Sequence, residues 1–416
     1  MKNHPLINTL LTLRGNPRAC VYTEPLWCIP HYLYIPFVSV YMSALFLTDS
    51  QIGLVASATL FFMAVFALLS GAITDKLGRK KTTIIFDILS WSVPCLIWAF
   101  SQNFWWFMVA AAFNGMMHIT TNSWMCLLVE DAEKSAMVRI FSIIHVIAQM
   151  AVIFAPISAA LVSRFSVVPV MRGLYLFAFV SMTVKFIILY KYCDETEVGK
   201  VRKSETADMS IFKILSGYGQ IFKRVLASPS MMLALAISVV FSIVFMIMGN
   251  FFALYTTGNL LIPAHYLAYY PILRSLIVIT FLFVIQPRIS RLGFKLPMLA
   301  GVMLYVVSHG VLLIAPVGNL FIPFVYIFIE ACAYSLVMPN RDSIVVLLIE
   351  PDERARISSI ITVLTLCCSI PFGYFAGWLS DMDRRLPFAL DIALFALVFA
   401  IICIGGRLME KKSVTG

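Results

Sequence analysis

Charge is scarce in this chain. Asp, Glu, Lys and Arg make up 12% of its 416 residues, about half the share of a soluble domain. So little charge cannot clothe a globular surface, whereas a 61% hydrophobic composition and a mean hydropathy of +0.92 suit a bilayer. No CxxC pair is present. The nine cysteines are scattered, most of them inside apolar runs (Cys28, Cys95, Cys126, Cys332, Cys403), which argues against a disulfide framework or a metal site. There is no HExxH helix, no GxSxG elbow and no Gly-rich phosphate loop. The expectation is therefore a protein that is not an enzyme, with no cofactor and no metal. Residues Met1 to Cys20 lack the short apolar core and cleavage site of a signal peptide, so the first apolar run reads as a retained helix.

What is present is a succession of apolar segments. No charge occurs between Glu24 and Asp49, which gives a first span. Further spans fall near 51–74, 82–100, 104–129, 139–163, 172–192, 231–256, 264–286, 296–316, 320–348, 357–379 and 387–407. With odd-numbered spans running outward, only Arg164, Arg172, Arg384 and Arg385 fall outside, and Lys185, Arg274 and Arg341 lie within spans. The rest of the 31 Lys+Arg sit on the inner side. The formal charge of +10 is thus a topology signal, and a nucleic-acid partner is not expected.

One long polar stretch divides the chain. Residues 193–228 open with a charged, flexible part, then offer an apolar stripe (Ile211, Phe212, Leu215, Ile221, Phe222, Leu226) opposite Lys213, Lys223 and Arg224, as in a helix lying on the inner membrane surface. A repeat supports two halves: LLVE at 127–130 precedes Arg139, and LLIE at 347–350 precedes Arg356, at equivalent span junctions. The expected layout is an N-terminal segment 1–19, a six-helix bundle 20–192, the linker 193–228, a second bundle 229–407 and a tail 408–416.

Residues 71–81 read GAITDKLGRKK. Gly71 allows close helix approach, Asp75 puts a carboxylate where it can bond an arginine or face a helix N-terminus, Gly78 permits a tight turn, and Arg79, Lys80 and Lys81 hold the loop in the cytoplasm. This string resembles the signature of the major facilitator superfamily, G-x-L-A-D-x-x-G-R-K, with Ile73 in place of the usual leucine. The resemblance covers essentially the whole chain. It implies an all-α integral membrane protein of twelve transmembrane helices in two six-helix bundles that rock about a central site, both termini cytoplasmic, in the plasma membrane, as a monomer. It also implies that Asp75 and Arg79 form a latch, with Glu130 and Arg139 as neighbours. The loop at the equivalent place in the second half keeps Gly293 and Lys295 but has Ser290 for the aspartate. Ala111 stands where family proton antiporters carry an arginine, and Ala155-Pro156 with Ala159-Ala160 replaces their glycines; drug/proton antiport is left without its motifs.

Ionisable groups in mid-bilayer are costly and need a reason. Arg274 and Glu330 lie at matching depth, roughly 14–15 Å from the outer ends of their spans at ~1.5 Å per residue. Arg274 would anchor an anionic or polar group and Glu330 would carry a proton or serve as its counter-ion; the alternative is a structural ion pair. Tyr266 and Tyr270 share a face with Arg274, and Tyr334 follows Glu330 by one turn. In the first half, Asn114, His118 and Asn122 recur at successive turns, and His145 and Gln149 lie on the next span. His118 and His145 both fall about 9 Å from the inner face, and histidine can titrate near neutral pH. His31, beside Tyr32 and Tyr34, and Asn250 are cavity candidates by family position alone. Asp87 and Lys185 read as structural, with Lys185 able to snorkel. The function these residues suggest is secondary active transport of a small solute by alternating access, coupled to protons. An uncoupled facilitator of a polar or anionic solute and a non-transporting receptor stand as alternatives.

Overall fold

The computed structural model describes residues 5–132, 136–210, 218–289, 295–347 and 354–413. Every regular element among them is helical. Among the described residues, ten helices are long and apolar enough to cross a membrane. They include α5 (Asp49–Leu77), α6 (Arg79–Phe100), α9 (Arg139–Phe165) and α10 (Val167–Tyr192); the shorter α1 (Pro5–Thr12), α2 (Gly15–Thr23), α3 (Pro25–Tyr34) and α4 (Val38–Ala44) precede α5, and α7 (Phe104–Asn114) and α8 (Met117–Val129) lie between α6 and α9. Beyond α11 (Glu197–Thr206) and α12 (Tyr218–Ala227) come α13 (Pro229–Leu254), α14 (Ala264–Ile285), α15 (Lys295–Leu313), α16 (Phe321–Leu347), α17 (Arg354–Met382) and α18 (Leu386–Ser413).

The apolar runs 24–49 and 104–129 are the two that do not form single long helices. The first is divided between α3 and α4 by a 3₁₀ turn, Ile35–Phe37, where Pro36 has no N–H to give to the helical ladder. The second is divided at Gly115 and Met116, between α7 and α8.

The chain packs as two units. One comprises residues 1–35 and 61–217, the other residues 36–60 and 218–416. In the first, α10 packs on α3 and on the second half of α6, while the first half of α6 packs on α8. In the second, α13, α15, α16 and α18 enclose a core built from Phe241, Val244, Val302, Tyr305, Val337, Phe395 and Val398. Residues 36–60 belong to this second unit: α4 lies against α13 and the first half of α5 lies against α17.

The start of the linker is ordered. Glu197–Thr206 is helical, with Thr196 as N-cap accepting from the Gly199 N–H. The stretch read as charged and flexible is instead a capped helix, preceded by Glu195, whose carboxylate has the backbone partners described below. Residues 211–217, carrying half of the amphipathic stripe, lie outside the described residues. Downstream, α12 buries Val225 against Leu235, Ile357, Ile360 and Ile361, with Phe222 and Leu226 exposed. Ser290, Gly293 and the LLIE turn up to Glu350 also lie outside the described residues.

Candidate functional site

Arg274 of α14 and Glu330 of α16 meet side by side. Nε of Arg274 donates to Oε2 at 2.8 Å and Nη2 to Oε1 at 3.2 Å, a two-point pairing. Glu330 is fully buried, while a third of the arginine side chain stays exposed. The Tyr334 ring lies under the guanidinium, 4.2 Å from its carbon to the ring centroid. The guanidinium is thus held between the protein's own carboxylate and an aromatic face. Tyr270, one turn before Arg274, instead packs its ring on Phe252 and Phe324, and its buried hydroxyl has no partner among the described residues. Tyr266 stacks near His265 and Tyr269. Asn250 turns inward on its own helix, its amide donating to the Met246 carbonyl at 2.8 Å. The structure therefore joins Arg274, Glu330 and Tyr334 and gives Tyr266, Tyr270 and Asn250 other neighbours.

The first-half candidates do not converge in the same way. Asn114 donates to the Ser90 carbonyl at 3.0 Å. Ser90 lies in the π-helical turn Ile88–Ser92 of α6, and such a turn disturbs the regular backbone ladder. The amide is thus a structural partner to backbone. His118 Nε2 is buried without a partner among the described residues, Asn122 and Gln149 are half-buried, and His145 is exposed. His31 stacks on Trp27 (4.7 Å, 13°) and sits 3.0 Å from the Tyr34 hydroxyl through Nδ1, inside an aromatic cluster with Tyr32 and Trp91. Lys185 does not snorkel. It is 4% exposed, and its Nζ donates to Glu24 Oε2 at 2.7 Å, a buried partner at its own depth.

At the signature, Arg79 Nη1 donates to Asp75 Oδ1 at 2.9 Å and Nε to both oxygens of Glu130 at 3.2 Å. Gly78 turns the chain at φ 89°, a left-handed value that a side chain resists, and a Cβ there would meet Glu195 Oε2 at 2.3 Å. Glu195 uses this space to cap α6, accepting from the Arg79 N–H at 2.7 Å and the Lys80 N–H at 3.3 Å. Thr196 donates to Glu130, and Thr206 reaches the Asp75 carbonyl at 3.1 Å. Lys80 lies over the Tyr190 ring at 5.3 Å, and Gly71 is half-buried. Arg139 is not in the cluster; its Nε donates to Thr9 Oγ1 at 2.8 Å.

A second cluster, at the opposite end of α5, escaped the sequence reading. Asp49, 4% exposed, takes two bonds from Arg384, Nε to Oδ2 at 2.7 Å and Nη2 to Oδ1 at 3.0 Å, and a third from Ser380 at 2.6 Å. Asp381 caps α5, accepting from the backbone N–H of Asp49 at 2.9 Å and Ser50 at 3.0 Å. Glycines let the two backbones touch: a Cβ on Gly53 would lie 2.3 Å from the Gly373 carbonyl oxygen, and one on Gly377 2.5 Å from that of Asp49. Ser57 enters the ladder of α17 one turn after Pro371, donating to the Ile370 carbonyl at 2.6 Å and accepting from the Tyr374 N–H at 2.8 Å. A cavity of about 690 Å³ opens beside this cluster, lined in part by Thr48, Asn259 and Arg385. The G-x-x-x-G at 373–377 is the one sequence signal that marks such a contact.

Solved structures share this architecture. The nucleoside transporter NupG superposes with a TM-score of 0.71 at 15% identity, covering 94% of this chain and 99% of that one. A variant of the peptide transporter POT gives 0.73 at 12%, covering 99% of each. The human organic anion transporter MFSD10 (TETRAN) gives 0.60 at 14%, covering 96% and 100%. No curated protein sequence matches the chain. The model of the Major Facilitator Superfamily matches residues 28–367; with the signature cluster in place and ten membrane-length helices, this multi-pass membrane protein belongs to that superfamily.

Proposed function

We propose that the chain is a secondary active transporter of a small anionic or zwitterionic solute, coupled to protons and working by alternating access. The observation that carries this reading is the two-point Arg274–Glu330 pair in mid-span, capped by Tyr334. A buried pair of this kind costs desolvation that packing alone does not require. Its reversible form serves transport: protonating Glu330 removes its charge, frees the guanidinium and lets a solute anion take the carboxylate's place.

Orientation follows from the basic signature loop. With residues 71–81 cytoplasmic, both termini are cytoplasmic and the Asp49–Arg384 cluster faces outward, in the plasma membrane. The seating of 36–60 on α13 and α17 is then a closed outer gate, which opens when α5 leaves α17. The Asp75–Arg79–Glu130 cluster is the inner latch. Residues 20–192 and 229–407 are the two six-helix halves, and the protein acts as a monomer without enzymatic activity.

The test is solute accumulation in proteoliposomes under an imposed proton gradient. Accumulation that disappears when an ionophore collapses the gradient supports coupling. Accumulation down its own gradient, indifferent to the ionophore, contradicts it and leaves an uncoupled facilitator.

A further inference from the structure

The second unit buries another polar pair besides Arg274 and Glu330. His309 of α15 and Asp391 of α18 are both fully buried, with Nε2 and Oδ2 3.4 Å apart. Neither carboxylate oxygen of Asp391 and not the Nε2 of His309 has a well-formed hydrogen bond among the described residues.

The other ring nitrogen decides the protonation. Nδ1 of His309 lies 2.9 Å from the Tyr305 carbonyl oxygen and 3.2 Å from Ser308 Oγ. A carbonyl only accepts, so Nδ1 carries a hydrogen. In a neutral imidazole Nε2 is then an acceptor, and it faces a carboxylate oxygen that is also an acceptor. Two acceptors opposed in a fully buried place repel, and the carboxylate charge would stand uncompensated. One further proton between them removes both costs, whether it resides on Nε2 or on Oδ2.

We propose that the His309–Asp391 pair is a proton-binding site of the transporter, separate from Glu330 and electrostatically linked to it. The linkage runs through named groups. The Tyr326 ring stands edge-on to His309 at 5.5 Å, Tyr326 is one turn before Glu330 on α16, and its buried hydroxyl has no partner among the described residues. On α15 itself, Tyr305 brings a second hydroxyl without a partner among the described residues. From α16 the ionisable groups are Tyr326, Glu330 and Tyr334, with Arg274 of α14 behind Glu330. From the turn that continues α13, Tyr255 donates to the Leu312 carbonyl at 3.2 Å. On α18, Phe388 and Phe395 wall the pair with apolar rings.

Depth gives the site a direction. His309 and Asp391 lie about 6–8 Å from the Arg384 end of their helices, and Glu330 about 14 Å, at ~1.5 Å per residue. A proton entering from that end meets the pair first. While Glu330 is ionised it offers the pair's proton an acceptor, and once it is neutral the uncompensated charge of Arg274 disfavours a second proton on the pair. The proton leaves Nε2–H or Oδ2–H and an O–H forms on Glu330, so charge moves while atoms balance.

The inference rests on the proton-coupled reading above and is tested apart from it. In the full-length protein with ¹⁵N-labelled histidine, NMR at about pH 8, where a free imidazole is neutral, reports whether Nε2 of His309 is bonded to a proton; His309→Gln assigns the signal. Infrared spectroscopy with ¹³C-labelled aspartate reports the carboxylic acid if the proton sits on Asp391. The expected result is one shared proton at about pH 8 in the wild type, visible by one method or the other and given up at a lower pH in Glu330→Gln, where Arg274 has lost its carboxylate. It is lost in Asp391→Asn, whose amide donates to Nε2 without titrating and so preserves the fold. A bare Nε2 together with an ionised carboxylate in the wild type overturns the inference, and that measurement needs no variant of Asp391. Gradient-independent accumulation with the shared proton present would defeat coupling and leave the proton site standing. A missing shared proton with gradient-driven accumulation intact would defeat the site and leave coupling standing.

Discussion

The two polar clusters at opposite ends of α5 are built from the same chemistry and held by opposite means. At the signature end Asp75 and Arg79 are one helical turn apart in sequence, and Glu130, Glu195 and Thr196 close around them. At the other end Asp49 waits for Arg384, Ser380 and Asp381, far away in the chain. In each, a carboxylate caps the start of a membrane helix through backbone N–H groups, Glu195 on α6 and Asp381 on α5. The first cluster braces a loop within its own unit. The second fastens residues 36–60 to helices of the C-terminal half.

The largest break in this comparison is Arg79→Ala. It leaves the carboxylates of Glu130 and Asp75 facing each other at the loop. We expect a loss of about 3 kcal/mol, the low end for breaking a buried pair because the Asp75 side chain is a third exposed. Thermal unfolding in detergent measures it, and hydrogen exchange should rise over 195–206 while 49–57 is unchanged.

Asp49→Asn is the mirror experiment. Charge-assisted bonds to a partly exposed Arg384 are lost, for about 2 kcal/mol. Amide exchange over 49–57 should then quicken by about thirtyfold, with 195–206 unchanged. Equal acceleration in both regions after either substitution would mean that the clusters are not independent.

These two clusters also mark what the sequence discloses. Asp75, Gly78 and Arg79 were legible because their roles are local: an i,i+4 pair and a turn that needs a left-handed residue. Arg274 and Glu330 were legible because matching depth in apolar spans leaves few alternatives to pairing. Glu24, Asp49, His309 and Asp391 were not, since each finds its partner on a helix distant in sequence, and an acid near a span end reads as an ordinary boundary. The linker helix escaped because its acids looked solvated until Gly78 made room for Glu195. Asn114 looked like a cavity residue because a π-helical turn in the neighbouring helix, which creates its role, leaves no composition signal.

Ser57→Ala sharpens the comparison on a smaller scale. Removing the hydroxyl frees the Ile370 carbonyl and the Tyr374 N–H beside Pro371, a cost of about 1 kcal/mol. It should be read as faster exchange in α17 around Tyr374 and no change at the signature. Smallest of all is Glu197→Gln, whose partner Lys200 lies 2.7 Å away on an open face. Unfolding should not change measurably, since exposed pairs contribute little; a clear destabilisation would mean that α11 relies on its surface charges.

The anchor itself is best tested by ligand-induced thermal shift across a panel of small anions and zwitterions, comparing the wild type with Arg274→Ala/Glu330→Gln. The double variant removes both charges and leaves no buried ion unpaired. The account predicts that an anion or zwitterion raises the melting temperature of the wild type and has no effect on the double variant. The same shift in both proteins would contradict it.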